Sequence, residues 1–149
     1  MIFLAADARG FDLKEKIKVW LKDWGQDYQD LGAATIKPGD DFPDYAFPLA
    51  EAVVENQALG IVICGTGNGM VMAVNKVKGA RGGLGINPEQ VAWSKKADFM
   101  NILALAVRFT NEVEAKAMVK VFLETDFVNE PRYQRRFDKI KKYEERSLK

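Results

Sequence analysis

The sequence predicts an α/β protein, a parallel sheet with helices on both faces. Two observations lead there. Short apolar runs alternate with stretches of helical periodicity. The spacing of that alternation leaves room for a helical crossover between successive strands, which parallel pairing requires. Size and composition agree with one domain spanning residues 1–149: the chain is 48% hydrophobic and 29% charged, with no internal repeat or low-complexity stretch. A chain of this length buries about 68–70% of its unfolded surface and needs no staple to fold.

The elements follow in order. Ile2-Phe3-Leu4-Ala5-Ala6 reads as a buried strand. Asp12 reads as the cap of a helix whose apolar residues are Leu13, Ile17, Trp20, Leu21 and Trp24, and Gly25 stops it. A weaker strand covers Tyr28 to Leu31. Gly32 to Pro43 is a loop, marked by Pro38-Gly39-Asp40-Asp41. Asp44 to Asn56 reads as a helix, with Pro48 tolerable only near its first turn. Leu59 to Ile63 is a third strand, and Ala80 to Leu84 and Ile102 to Val107 are the fourth and fifth. Pro88 starts a helix to Ala97. Asn111 starts another to about Thr125, with Val113, Ala117, Val121 and Phe122 as its apolar face for core or dimer packing. Pro131 begins a last, very polar helix. Ligands of such folds sit beyond the carboxyl ends of the strands. Chemistry is therefore expected in the loops after Ala6, Ile63, Leu84 and Val107.

Composition removes several function classes. A formal net charge of +1 gives no bias towards nucleic acid or a membrane surface. One cysteine forbids an intrachain disulfide and fits a reducing compartment. The N-terminus lacks a basic region and a long apolar region, so no signal peptide is read there. No apolar run approaches the roughly 20 residues of a membrane helix. The expected location is the cytoplasm. Histidine is absent altogether, which removes the commonest general base and metal ligand. A Ser-His-Asp hydrolase is excluded, and a metal site is not expected. Proton transfer must use Cys, Asp, Glu, Lys or Tyr.

The loop after the third strand reads Cys64-Gly65-Thr66-Gly67-Asn68-Gly69-Met70, leading into a helical stretch to Lys76. Three glycines let the backbone turn with positive φ and aim several N–H groups inward, a nest for an anion. The loop is not a P-loop, because Gly-Lys-Ser/Thr is missing, and its glycine spacing is wrong for a dinucleotide fingerprint. A nucleotide-binding domain is disfavoured for both reasons. Donors around Cys64 would favour its thiolate. A thiolate beside an oxyanion nest can abstract a proton next to a carbonyl while the nest holds the enediolate. The plain alternative is a small buried cysteine at a strand end, with glycines serving a tight turn.

At this point the sequence resembles the ribose-5-phosphate isomerase B family, which includes the galactose-6-phosphate isomerase subunits. The resemblance runs from Met1 to about Lys142. Asp7 follows the first strand, where the family has an Asp-His pair. Asp41-Phe42-Pro43-Asp44-Tyr45-Ala46 matches the family's Asp-Tyr-Pro-Asp-Tyr-Ala. Ile63-Cys64-Gly65-Thr66-Gly67-Asn68-Gly69-Met70 and Asn75-Lys76-Val77 match its active-site loop and helix. Asn101-Ile102-Leu103-Ala104-Leu105 matches its Asn-Val-Leu-Ala-Leu strand, and Arg132, Arg135 and Arg136 match its arginine-rich ending.

The resemblance implies a Rossmann-like three-layer α/β/α sandwich with a five-stranded parallel sheet and a C-terminal helical extension. It implies a homodimer or dimer of dimers with shared active sites, the helix from about 131 packing on the partner. It also implies metal-free, cofactor-free aldose–ketose isomerisation of a phosphorylated sugar. By the same carry-over Cys64 moves the proton between carbons, Thr66 handles a substrate oxygen, and Asn101 stabilises the intermediate. Gly65, Gly67, Asn68, Gly69 and Met70 supply backbone donors, Asp7 holds hydroxyls, and Arg132 and Arg136 hold the phosphate. Spacing adds separate support, since Arg132 and Arg136 share one helical face and two guanidinium forks can grip one phosphate. Pro131 to Lys149 holds eight basic and three acidic residues, which also fits a solvated tail. Arg108, after the fifth strand, is assigned a phosphate or interface role, with a surface ion pair as the alternative.

Departures from the family bear on the substrate. Its Asp-His is Asp7-Ala8 here, followed by Arg9, which takes the phosphate contact in this reading. Its tyrosine is Phe42. Its Cys-His-Asp is Gly85-Ile86-Asn87, and its His-Asn-Asp-Ala-Asn is Ala97-Asp98-Phe99-Met100-Asn101. Opening a furanose needs an acid and a base, whereas an acyclic substrate needs neither. The expectation is an open-chain substrate such as a tetrose or tetrulose 4-phosphate rather than ribose 5-phosphate. A non-catalytic sugar-phosphate-binding subunit or sensor is the competing reading, supported by the lost histidines and opposed by the intact loop.

Overall fold

The computed structural model describes residues 1–146. Residues 147–149, and with them Lys149 of the basic tail, lie outside the described residues. The chain runs β1 (Ile2–Ala6), α1 (Phe11–Asp23), β2 (Tyr28–Asp30), α2 (Pro43–Glu55), β3 (Leu59–Cys64), α3 (Asn68–Val74), β4 (Gly82–Leu84), α4 (Pro88–Asp98), β5 (Ile102–Ala106), α5 (Glu112–Glu124) and α6 (Pro131–Arg146). The strands form one parallel sheet in the order β2-β1-β3-β5-β4. This is the expected three-layer, Rossmann-like sandwich with a helix appended.

Every residue of β1 and β5 is buried, because helices cover both faces of the sheet. The side chains still alternate. Ile2, Leu4 and Ala6 join Ile17, Leu21, Met118 and Phe122 on one face, while Phe3 and Ala5 join Leu49, Val53, Met70 and Val74 on the other. Helices α1, α4 and α5 share the first face, and α2 and α3 the second. That division follows from one crossover hand: connections that step leftward in the sheet use one face, and rightward steps use the other. Adjacent β1 and β3 therefore send their chains to opposite faces and leave a crevice at their carboxyl ends.

Local chemistry sets the helix starts. Pro43 and Pro88 occupy first positions, Asn87 accepts the Gln90 N–H at 2.8 Å, and Asn111 with Glu114 forms a reciprocal capping box. Three local expectations need correction. The cap of α1 is Gly10, and Asp12 lies in the first turn. Pro48 sits in the second turn of α2, where it and the Asp44 turn its missing N–H leaves open are exposed to water. The face α5 buries is Ala115, Met118, Val119 and Phe122, whereas Val113 is 79% exposed.

Two features fix the periphery. Lys14 is fully buried, its Nζ 2.6 Å from Asp30 Oδ2 and 2.7 Å from the Ala33 carbonyl. It ties edge strand β2 and the loop beyond it to α1, and removing one partner of such a pair typically costs about 3–5 kcal/mol. Helix α6 docks on its own chain: Phe137 stacks on Phe99 at 4.2 Å, Tyr133 is buried, and Glu144 accepts the Gly79 N–H at 3.3 Å. Among the described residues no helix is long and apolar enough to cross a membrane.

Candidate active site

Cys64 ends β3 and is 4% exposed. Parallel pairing sets Ala6 opposite Ile63 and Ala106 opposite Cys64. The chain beyond each strand is then stitched to its neighbour. The Asp7 N–H donates to the Ile63 carbonyl at 3.3 Å, the Val107 N–H to the Cys64 carbonyl and the Arg108 N–H to the Gly65 carbonyl, both at 3.1 Å. Three loops distant in sequence thus meet around one thiol.

The Gly67 N–H donates to Cys64 Sγ at 3.2 Å. Gly67 has φ +75°, and a Cβ there would lie 2.3 Å from Leu84 Cδ1. Gly69 lets the Phe42 ring approach; a Cβ would sit 2.8 Å from it. Thr66 and Asn68 are exposed at the rim of the loop, whereas Met70 is fully buried and packs in the core beneath α2. Met70 therefore offers this site its backbone, its side chain being committed to packing. The loop supplies N–H donors and one thiol, the elements of proton abstraction beside an oxyanion.

Charge gathers at the same mouth. A Cβ on Gly65 would lie 3.1 Å from Arg9 Cδ and 3.4 Å from Arg108 Nε, so both arginines lie over the residue after Cys64. Asp7, 4% exposed, accepts the Arg9 and Gly10 N–H groups at 3.0 Å each and so shapes the turn that presents Arg9. Burial pushes its carboxyl above the usual aspartate value, against the pull of the Gly10 hydrogen bond.

Three expected site residues stand elsewhere. Asn101 precedes β5, at the opposite end of the sheet. Its register is five residues before Ala106, the partner of Cys64, or about 16 Å along the strand. Its amide is engaged internally: Oδ1 accepts the Arg81 N–H at 2.7 Å and Nδ2 donates to the Gly79 carbonyl at 3.1 Å. Arg132 and Arg136 lie exposed on α6, which docks at that same far end. Arg132 bonds Tyr133 Oη at 2.9 Å and Glu130 at 2.8 Å, and the Tyr133 contact leads in raising its pKa. One chain does not bring these three to Cys64. Sequence reasoning passed over Asp40, whose carboxylate oxygens both lie 3.1 Å from the Ala8 nitrogen. Its place in a Pro-Gly-Asp-Asp turn gave only a loop signal.

Comparison with known proteins identifies the family. A family model described as Ribose/Galactose Isomerase matches residues 2–140. The crystal structure of ribose-5-phosphate isomerase B from Mycoplasma genitalium with bound ribulose 5-phosphate superposes with a TM-score of 0.92 at 41% identity, covering 97% of this chain and 95% of that one. The Clostridium thermocellum ribose-5-phosphate isomerase B superposes with a TM-score of 0.93 at 34% identity, covering 98% of each chain. The ribose-5-phosphate isomerase B of Mycobacterium tuberculosis is 34% identical over 144 residues, 96% of this chain and 89% of the relative. Sequence similarity and fold coincide over nearly the whole length, and the chain belongs to the ribose/galactose isomerase family of sugar-phosphate isomerases.

Proposed function

We propose that this protein interconverts an aldose and a ketose phosphate through a cis-enediolate, without metal or cofactor, with Cys64 as the base. The carrying observation is the Gly67 N–H on Cys64 Sγ inside a glycine-rich loop at the carboxyl end of β3. Cys64 takes the proton from the carbon next to the carbonyl. The N–H groups of Gly65 to Met70 hold the charge that develops on oxygen, and Thr66 steadies that oxygen. Asp7 binds hydroxyls. Arg9 and Arg108, flanking Gly65, attract the phosphate.

Arg132 and Arg136 reach such a site only from a second copy of the chain. A homodimer or dimer of dimers with shared sites, in the cytoplasm, is therefore part of this reading. Contact of the exposed face of α6 with the partner belongs to it too. The amide of Asn101, already engaged twice within its own chain, serves the loop before β4 rather than the enediolate.

The substrate is proposed to enter in open-chain form. No imidazole exists for ring opening, and Phe99, in the segment where the family carries one, stacks on Phe127 and Phe137. Ribulose 5-phosphate, found in the Mycoplasma genitalium relative, is itself a ketose whose phosphate blocks its own ring closure. Tetrose and tetrulose 4-phosphates share that property in both directions of reaction. A kinetic series decides it: faster turnover of ribose 5-phosphate than of erythrose or erythrulose 4-phosphate ends the substrate proposal and leaves the isomerase standing.

The central test is solvent exchange. In deuterated water, a panel of four- to six-carbon aldose and ketose phosphates is incubated with the protein and with Cys64→Ala. Deuterium uptake next to the carbonyl, lowered by about 10²–10⁴-fold in the variant, is the expected outcome for a general base. Binding of a panel member without any exchange would instead identify a sensor.

A further inference from the structure

The loop between β2 and α2 folds over the crevice and brings Asp40, half-buried, to the turn after β1. The Ala8 N–H points at both of its carboxylate oxygens, at 3.1 Å each. The Tyr45 phenol lies against the same carboxylate. A cavity of about 350 Å³ opens between loop and turn, with Asp7, Ala8, Arg9 and Asp40 among its walls. The turn that forms those walls is bonded to the residue before Cys64 and lies over the residue after it. The Asp7 N–H bonds the Ile63 carbonyl at 3.3 Å, and Arg9 Cδ would lie 3.1 Å from a Cβ on Gly65. A carboxylate has roughly four lone-pair positions. The one Ala8 N–H and the Tyr45 hydroxyl leave some of them free toward the cavity.

Aldose–ketose isomerisation moves two protons, one between carbons and one between oxygens. Under the reading above, on which this inference rests, Cys64 carries the first. A thiol holding the carbon-derived proton is not free to carry the other. We propose that Asp40 is a further catalytic residue, which takes the proton from the O2 hydroxyl and returns it to O1. Toward the ketose, the Cys64 thiolate removes the C2 proton. The C2–H electrons form the C1=C2 bond, and the carbonyl electrons pass to O1. The Asp40 carboxylate accepts the O2 proton and delivers it to O1. The Cys64 thiol then protonates C1, while O2 re-forms a carbonyl at C2. Both residues end as they began, and no oxidant or reductant is consumed.

The test separates carbon chemistry from oxygen chemistry. In Asp40→Asn the amide oxygen still accepts the Ala8 N–H, so the fold is retained. With ribose 5-phosphate or erythrose 4-phosphate, whichever turns over faster, isomerisation falls by about 10²–10⁴-fold. Cys64-dependent exchange of the C2 hydrogen with deuterated solvent stays within a few-fold, because the enediolate still forms and returns. Unchanged isomerisation overturns the proposal, and so does a loss of exchange equal to the loss of isomerisation. Should Asp40→Asn fail to fold, Asp40→Glu reads the same ratio: a displaced carboxylate lowers isomerisation relative to exchange, and an unaltered ratio overturns the assignment. Absence of Cys64-dependent exchange in the unaltered protein takes down the isomerase reading and this one together.

Discussion

The two ends of the sheet are built on opposite principles. At the amino end, polar groups are turned inward on one another. Asn101 is bonded to both Arg81 and Gly79, Arg81 donates to the Phe99 and Gly79 carbonyls at 2.5 and 2.7 Å, and Phe99 stacks between Phe127 and Phe137. At the carboxyl end, Thr66, Asn68, Arg9 and Arg108 are exposed around a buried thiol. The first arrangement closes a surface and the second keeps one open. Residues from a single sequence motif can fall on either side: Asn101 starts the strand whose far end lies opposite Cys64.

Gly67→Ala should give the largest effect on stability at the open end. Left-handed backbone costs an alanine about 1–2 kcal/mol, and overpacking of the kind a Cβ 2.3 Å from Leu84 would impose costs about 1–3 kcal/mol more. The shift also pulls the N–H from Cys64 Sγ, so turnover should drop by more than the population of folded protein does. Thermal unfolding and initial rates on one preparation measure both.

Asn101→Ala probes the closed end. It leaves the Arg81 N–H without its partner, a loss of about 1–3 kcal/mol, while the Gly79 carbonyl keeps its bond from the Arg81 guanidinium. The urea midpoint should fall while turnover per folded molecule holds. A tenfold fall in turnover at an unchanged midpoint would erase the contrast between the two ends.

Asp7→Asn should have the smallest effect on stability. The folded-state pKa of Asp7 lies above the ordinary 3.8, chiefly through burial. The folded protein therefore binds its proton more tightly than the unfolded chain does. That contribution to stability is complete below pH 3.8, is lost as pH rises through the raised value, and is flat above it. An asparagine accepts the Arg9 and Gly10 N–H groups equally well and carries no such slope. Urea midpoints of the two proteins across that interval should diverge as pH rises, with the variant the more stable. Parallel curves would mean that Asp7 is not the group titrating there.

Much of this was legible because two-sided burial writes strands as continuous apolar runs, and the loop after β3 declares itself by its glycines. What escaped the sequence was orientation. In α5 the stripe Val113, Ala117 and Val121 has helical spacing as good as that of Ala115, Met118, Val119 and Phe122, and only contact with the sheet decides between them. Asp12 looked like a cap because aspartate is a good one, yet the backbone of Gly10 had already begun the helix. Arg132 and Arg136 were readable as a pair, but the side of the molecule on which α6 docks is fixed by Phe99, Phe137 and Gly79, which carry no local signal for it. Asp40 was hidden for a similar reason: the Ala8 N–H that fixes it is 32 residues away.

Both border strands, β2 and β4, are only three residues long. Unpaired backbone along a sheet border is a template on which another chain can add a strand, the first step toward fibrils and disordered precipitates. So short a border offers little grip. Neither border of the sheet therefore favours the open-ended addition of strands.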